Sequence, residues 1–237
     1  PHFFLADLLK HDRHNGYNIY ISAREYARDL SSPPAMSQQY NIFIRRESFK
    51  RMIWEKTEQW RWSKPRNAMA HAIACYDFDN DLHGALDEMT DNEIEAVILH
   101  EIGEIRAGES LPGWHAMMSQ LMFTQAEIMA RAVRDHLADA ISTLPALLED
   151  QQEASIHFYM ANLTSMRKHL FPALLDAYDH WLQNNSTEQF EKLADTGRSH
   201  WQQVATEMLA LFRQYGENSH EHIERFVEEN TLQSSQS

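Results

Sequence analysis

Apolar and polar positions alternate with a period of two in the first part of the chain. This alternation over residues 17–21, and again over 40–44, predicts two strands that each bury one face. The pair Asn15-Gly16 directly before the first strand is a turn signal typical of β-hairpins. Ser22 and Glu25 have the spacing of a capping box, which predicts that a short helix follows the first strand. The beginning of the chain therefore has the pattern of mixed α/β structure.

Further along the chain the apolar residues follow the helical period. Spacings of three and four predict an amphipathic helix that ends near Trp62. Thr90 and Glu93 form a second capping box, which predicts a helix that starts near residue 91. From there the helical pattern continues with few breaks, which fall at 108–113, near Pro145, at 184–186 and at Gly216.

These patterns predict a mainly α protein in which a small α/β N-terminal part precedes an antiparallel helical bundle. The expected division is a mixed α/β region over residues 1–90, a helical bundle over 91–230 and a disordered tail over 231–237. Long helices joined by short connections favour the antiparallel arrangement, because a short loop returns the chain alongside the helix that it has just left.

Composition narrows the class of protein and its expected location. With 237 residues, 43% of them hydrophobic, the chain can bury a substantial core. The single cysteine, Cys75, excludes an internal disulfide and fits a reducing compartment, and the first residues lack a signal-peptide pattern. No stretch approaches the roughly 18 apolar residues of a membrane helix. We therefore expect a cytoplasmic protein without a membrane partner.

The charge distribution restricts the binding partners. A formal net charge of −14 disfavours nucleic acid, because phosphate binding requires dense Lys and Arg. The segment Arg45–Arg66 is an exception, with eight basic residues against three acidic ones and three tryptophans among them. Its basic residues form either the solvated face of an amphipathic helix or a docking surface for an acidic partner.

The sequence His-Glu-Ile-Gly-Glu at 100–104 carries the strongest candidate chemistry. His100 and Glu104 are four residues apart on a predicted helix, so both side chains can reach one ion. Glu101 falls inside the apolar stripe of that helix, where a carboxylate has to be paired, protonated or close to a metal because desolvation of its charge is costly. We predict His100 and Glu104 as metal ligands and Glu101 as a general base.

This arrangement resembles the active-site helix of the zincin metallopeptidases, whose pattern is His-Glu-x-x-His. The resemblance covers about fifteen residues and implies that His100 is a ligand and Glu101 the catalytic base. Glu104 stands where that family has its second zinc-binding histidine. A carboxylate at this place is a harder ligand than imidazole and suits iron or manganese better than zinc.

Further ligands are predicted on the next helices. His136 lies on an apolar stripe and Asp139 follows three residues later, so this pair could complete the set begun by His100 and Glu104. The expected cofactor is a divalent transition metal: zinc, iron or manganese. In the alternative interpretation, His100 and Glu104 are a helix-surface pair, Glu101 binds an arginine, and His136 is a core histidine.

Three functions are compatible with these observations. The first is a metal-binding helical protein acting as a metal-dependent hydrolase on a small-molecule or peptide substrate, with its His/Glu site on the helix that starts near residue 91. The second is a redox protein with one or two metal ions inside the bundle. The third is a non-enzymatic binding or scaffold protein that docks an acidic partner on segment 45–66.

Overall fold

The computed structural model describes residues 3–30 and 33–234. Its four strands all lie near the N-terminus: β1 (Phe4–His14), β2 (Tyr17–Arg28), β3 (Ala35–Gln38) and β4 (Asn41–Arg45). The α-helices are α1 (Arg46–Ser63), α2 (Ala68–Ala74), α3 (Leu82–Ser110), α4 (Trp114–Gln120), α5 (Gln125–Ala138), α6 (Leu144–Glu149), α7 (Glu153–Asn162), α8 (Ser165–Leu170), α9 (Pro172–Asn184), α10 (Glu188–Tyr215) and α11 (His220–Glu229). A π-helical turn, Asp139–Thr143, joins α5 to α6, and a 3₁₀ turn, Gly216–Asn218, precedes α11. The expectation of a mainly α protein is confirmed, and its N-terminal part forms a small four-stranded sheet.

The sheet has the strand order β1-β2-β4-β3, with β2 and β4 parallel and the other two pairs antiparallel. The short helix predicted after the first strand is wrong, because β2 continues to Arg28. Ser22 and Glu25 lie within that strand, where the Ser22 hydroxyl donates to the Ile44 carbonyl and the Glu25 carboxylate pairs with Arg45. Contacts with the neighbouring strand therefore override the local capping signal.

Helix α1 agrees with the predicted amphipathic segment. Phe49 and Ile53 are buried on its apolar face, and Trp62 near its end is exposed. The helix stops at Lys64, which has the left-handed conformation with φ 44° and whose backbone N–H donates to the Trp60 carbonyl. Burial of one face accounts for the helix, because a charged segment of this kind gains most of its stability from packing.

Helix α3 is longer than the predicted helix and begins at Leu82 instead of near residue 91. Thr90 is not an N-cap: it lies inside the helix, fully buried, and its hydroxyl donates to the Leu86 carbonyl at 2.6 Å. This bond to the carbonyl four residues earlier satisfies the hydroxyl within the helix. Glu93, the other member of the predicted capping box, is buried and bonded to other elements, as described below.

The chain forms two compact units. Unit 1 runs to Ile102 and also includes Gln151–Asn162, and unit 2 contains Gly103–Asp150 and continues from Leu163. In unit 2, Leu232 donates to the Leu170 carbonyl at 2.8 Å and accepts from the Ala173 N–H at 3.2 Å. The first residues of the predicted disordered tail therefore pair with the backbone around α9, while residues 235–237 of that tail lie outside the described residues.

No helix in the described ranges, 3–30 and 33–234, combines the length and the apolar character required to cross a lipid bilayer.

Candidate metal centre

Helices α3 and α5 approach each other closely at Gly103. A Cβ atom on Gly103 would lie 2.2 Å from the carbonyl oxygen of Ala138 and 2.7 Å from its carbonyl carbon. Both distances are far below van der Waals contact, so only a glycine fits here without displacement of the backbone. The glycine of the His-Glu-Ile-Gly-Glu sequence therefore sets how near the two helices come.

This close approach places a carboxylate of α5 beside the predicted ligands of α3. His100, Glu104 and Asp135 each offer one ligand atom, and these atoms all lie within 4.8 Å of one another. His100 is one helical turn before Glu104 on the continuous helix α3, so the helix itself fixes their spacing. Within residues 3–30 and 33–234, this is the only group of three or more His, Cys, Asp or Glu side chains with such geometry. All three side chains are half-buried.

Arg134, the residue before Asp135, belongs to the same cluster. Its guanidinium forms an ion pair with the Glu104 carboxylate and lies 3.5 Å from the Glu104 carbonyl oxygen. Both side chains are largely shielded from water, with 33% and 16% of their surfaces exposed. Arg134 thus offsets one of the two negative charges of the group. Because a carboxylate has two oxygens, Glu104 could keep its ion pair with Arg134 through one oxygen and bind an ion through the other.

The group borders an open cleft of about 730 Å³ in unit 2. Glu104 and Asp135 line one part of the cleft, and Arg131, Arg134 and His115 add cationic or hydrogen-bonding groups. Apolar side chains of the connection between α3 and α5 cover another part of the wall: Leu111, Trp114, Met118 and Met122. The volume falls in the range of small-molecule sites, roughly 300–1,000 Å³.

The structure brings together only part of the predicted site. His100 and Glu104 belong to the group, whereas His136 and Asp139 do not, and Asp135 joins in their place. Glu101 is half-buried on α3 next to the group, and its assignment as a base stays a prediction. Asp135 precedes the predicted ligand His136 on α5, and this position was the one signal in the sequence that pointed to it. No pattern in the sequence shows which residues of α5 lie beside His100.

His136 is enclosed by aromatic residues in unit 2. Its ring stacks on Trp201 with centroids 5.0 Å apart and meets Phe171 edge-on at 5.2 Å. Burial, with the nearby Arg167 charge, lowers the pKa of His136 to about 3, so the ring is neutral at physiological pH. Its Nε2 lies 2.9 Å from the Arg167 carbonyl, which can only accept, so Nε2 carries the proton. These contacts are those of a core histidine.

Asp139 is also engaged in the core of unit 2. Its side chain, 1% exposed, forms an ion pair with Arg167 and accepts a hydrogen bond from the Thr143 hydroxyl at 3.0 Å. Asp139 begins the π-helical turn, where one additional residue rotates the following side chains relative to a regular α-helix. Asp139 itself keeps the α-helical phase of α5, since its backbone N–H donates to the Asp135 carbonyl, so the ion pair with Arg167, and not the turn, engages its carboxylate in the core.

Part of the basic segment is paired within unit 1. Arg45 is fully buried and binds Glu25, while Arg46 binds Asp87 and Asp91. Lys50 also binds Asp87, at 2.5 Å. These intramolecular ion pairs reduce the positive charge that segment 45–66 can offer to an acidic partner. Docking of such a partner remains a prediction, with a smaller electrostatic contribution than the sequence suggests.

The most deeply buried carboxylate of α3 is Glu93, in unit 1. It is fully buried, and its Oε1 accepts hydrogen bonds from the Tyr76 and Ser155 hydroxyls, each at 3.2 Å. Burial raises the pKa of Glu93 to about 7, although the two hydrogen bonds lower this pKa because they stabilise the charged carboxylate. The sequence predicted a buried acid on this helix at Glu101. It did not predict the burial of Glu93, because Glu93 fitted the capping box of a helix start.

We expect Glu93→Gln to stabilise the protein at pH 8 by about 2–3 kcal/mol and to leave it unchanged near pH 4.5. The unfolded state releases the Glu93 proton near pH 4.5, whereas the folded state holds it until about pH 7. Stability is therefore fullest below pH 4.5 and falls as the pH rises to 7, and glutamine removes this loss. Urea unfolding at the two pH values measures the difference.

Glu95→Gln is the matched control, since Glu95 is exposed on the same helix. It should change the free energy of unfolding by less than about 0.5 kcal/mol at both pH values. An effect of Glu93→Gln that is equal at pH 4.5 and pH 8 would show that Glu93 is not a buried acid with a raised pKa.

Fold and site together define a mainly helical protein with a small N-terminal sheet and a histidine–carboxylate group beside a cleft. Residues 50–230 match the C-terminal domain, and residues 1–45 the N-terminal domain, of a family of unknown function, DUF6866. The chain belongs to this family. The N-terminal match ends with strand β4, so it covers the sheet. No curated protein and no solved structure matches the chain.

Proposed function

We propose that the protein binds one divalent transition metal ion through His100, Glu104 and Asp135 and uses it for hydrolysis in the adjacent cleft. The observation that carries this proposal is the convergence of one imidazole and two carboxylates, with ligand atoms within 4.8 Å of one another. Glu104 and Asp135 also line the cleft, so an ion between them would be accessible to a small molecule.

The spacing of the three residues suits a metal ion. Ligand atoms bound to one ion at about 2.1 Å lie roughly 3–4 Å apart, so small side-chain rotations would bring this group to binding distance. Two carboxylates and one imidazole form a hard donor set, which favours manganese or iron(II) over zinc. Three protein ligands also leave coordination positions for water and substrate, as in catalytic sites.

A bound divalent ion would lower the pKa of a coordinated water and polarise a carbonyl or phosphoryl oxygen. Hydrolysis consumes one water and breaks the bond between the acyl or phosphoryl group and its leaving group. Glu101 follows His100 directly, and in this proposal it accepts the proton of the attacking water. Arg134 would orient Glu104 through their ion pair.

The proposal keeps part of the resemblance to the zincin helix. His100 and Glu101 have the roles that the resemblance implies, while Glu104 replaces the second histidine and Asp135 comes from another helix. We further propose that the helices of unit 2 form an antiparallel bundle around this site. The enclosed aromatic cluster around Trp201 and the close approach of α3 to α5 support that arrangement.

We expect the wild-type protein to retain about one equivalent of manganese, iron or zinc after exposure to each ion and gel filtration. His100→Ala and Asp135→Ala should each reduce retention at least tenfold, because two ligands hold an ion much more weakly than three. The measurement is elemental mass spectrometry on protein without an affinity tag, with circular dichroism to establish that each variant is folded.

His83→Ala is the control, since His83 is exposed on the same helix and lies outside the group. It should retain metal like the wild type. Equal retention by wild type and His100→Ala, or retention by neither, would contradict the metal site.

The hard donor set also favours a second function, a redox centre with manganese or iron. Its signature is a visible or electron spin resonance spectrum that changes with oxidant and reductant, whereas a hydrolytic ion keeps its oxidation state. A stoichiometry of two ions would favour the di-metal form of this second function.

A further inference from the structure

Three exposed apolar side chains of unit 2 lie close together in sequence, and one of them lines the cleft described above. Five large apolar side chains are exposed among the described residues of unit 2, and three of them lie within residues 122–128: Met122, Phe123 and Ile128. We call these three residues the apolar patch. The other two, Leu182 and Tyr215, are only moderately exposed, at 42% and 37%. A surface that exposes several large apolar side chains marks a binding site more often than one with a single exposed residue does.

Phe123 is the most unusual member of the apolar patch. It is 97% exposed and has the left-handed backbone conformation, with φ 67°. A bulky residue is disfavoured in that conformation, which glycine or asparagine adopts readily. The ring makes no aromatic contact with any residue in the described ranges. Aromatic packing therefore does not explain a phenylalanine at this position. Backbone strain without a structural explanation occurs often at functional sites.

The connection that carries Phe123 is tied to the wall of the cleft. The Phe123 N–H donates to the Glu127 carboxylate at 2.8 Å, and Glu127 in turn pairs with Arg131 at 2.7 Å. Arg131 and Met122 both line the cleft that also contains Glu104 and Asp135. The apolar patch thus reaches the cleft through Met122, while Phe123 is tied to the cleft wall by the hydrogen bond of its backbone to Glu127.

We infer that the cleft takes an amphipathic acyl substrate, with its apolar chain on the apolar patch and its carboxyl derivative at the metal group. The apolar wall and Met122 suit a hydrocarbon chain, and the cationic Arg131 with His115 suits the carboxylate that hydrolysis of an ester or amide releases. This inference rests on the proposed hydrolytic function, which supplies the water that becomes part of the acid product.

Decanoate, the product of such a reaction, is the probe, and acetate is the matching carboxylate without a chain. The wild-type protein loaded with manganese should bind decanoate at least tenfold more tightly than acetate in calorimetric titrations. Phe123→Asn should weaken decanoate binding at least tenfold, leave acetate binding and metal content unchanged, and leave the melting temperature equal or higher, because asparagine tolerates the left-handed conformation.

Leu182→Gln serves as control, since it removes an exposed apolar side chain of unit 2 outside the apolar patch. It should bind decanoate like the wild type. Decanoate binding that is unchanged by Phe123→Asn would overturn the inference. So would a change in oligomeric state by light scattering with no change in decanoate binding, which would make the patch a contact between protein chains.

The same titrations with metal-free protein separate this inference from the proposed function. If no metal is retained but decanoate binding still depends on Phe123, the acyl site stands and the metal proposal fails. If metal is retained and decanoate does not bind, the metal site stands and the acyl substrate is wrong.

Discussion

Replacing Gly103 with alanine is expected to destabilise the protein by about 3–5 kcal/mol, because the new methyl group would overlap the backbone of α5. The Ala138 carbonyl oxygen would lie 2.2 Å from the added carbon. A backbone carbonyl inside a helix cannot rotate away as a side chain can, so the two helices would have to separate. Urea unfolding followed by tryptophan fluorescence measures the loss.

Gly108→Ala is a control on the same helix. A Cβ on Gly108 would meet nothing within 4 Å, apart from its chain neighbours and the backbone of its own helix. Alanine is a better helix former than glycine, so this variant should gain roughly 0.5–1 kcal/mol. A loss in both variants would point to the helix itself, and a loss in neither would show that α3 and α5 do not approach as described.

Separation of the helices should also disperse the proposed metal group. Asp135 lies on α5, whereas His100 and Glu104 lie on α3, so the distance between the helices decides whether all three reach one ion. Under conditions where Gly103→Ala is still folded, we expect at least tenfold weaker metal retention than in Gly108→Ala. Retention equal to that of Gly108→Ala would mean that Asp135 is not a ligand.

Local patterns predicted the features of this protein that depend on neighbours in sequence. The amphipathic period gave α1 nearly to the residue, and the alternation over 40–44 gave β4. The four-residue spacing of His100 and Glu104 likewise needs only a helix. Each of these features follows from backbone geometry and one buried face, which the sequence records directly.

Features that depend on tertiary packing were not predictable in this way. The capping signals at Ser22 and Thr90 do not mark helix ends, because Ser22 pairs with β4 in the sheet and Thr90 lies inside α3, where tertiary packing outweighs the local preference. Asp135 was missed because only the approach of α5 at Gly103 brings it near Glu104. The core role of Asp139 was missed because its ionic partner, Arg167, comes from α8, and only tertiary packing brings the two together.

We expect Arg167→Met to destabilise the protein by about 3–5 kcal/mol, since it leaves the Asp139 carboxylate in the core without its ionic partner. Asp139 is 1% exposed and Arg167 is 8% exposed, so water cannot replace the lost contact. Lys168→Met is the control, because Lys168 is exposed on the same helix, and should change stability by less than about 0.5 kcal/mol.

The double variant Asp139→Asn with Arg167→Met should recover most of this loss, to within about 1–2 kcal/mol of the wild type. Asparagine carries no charge, and its oxygen can still accept the hydrogen bond from Thr143. Metal retention by the double variant decides the role of Asp139. Retention equal to the wild type would assign Asp139 to the core and the metal to His100, Glu104 and Asp135, whereas a loss of metal in a folded double variant would restore Asp139 as a ligand.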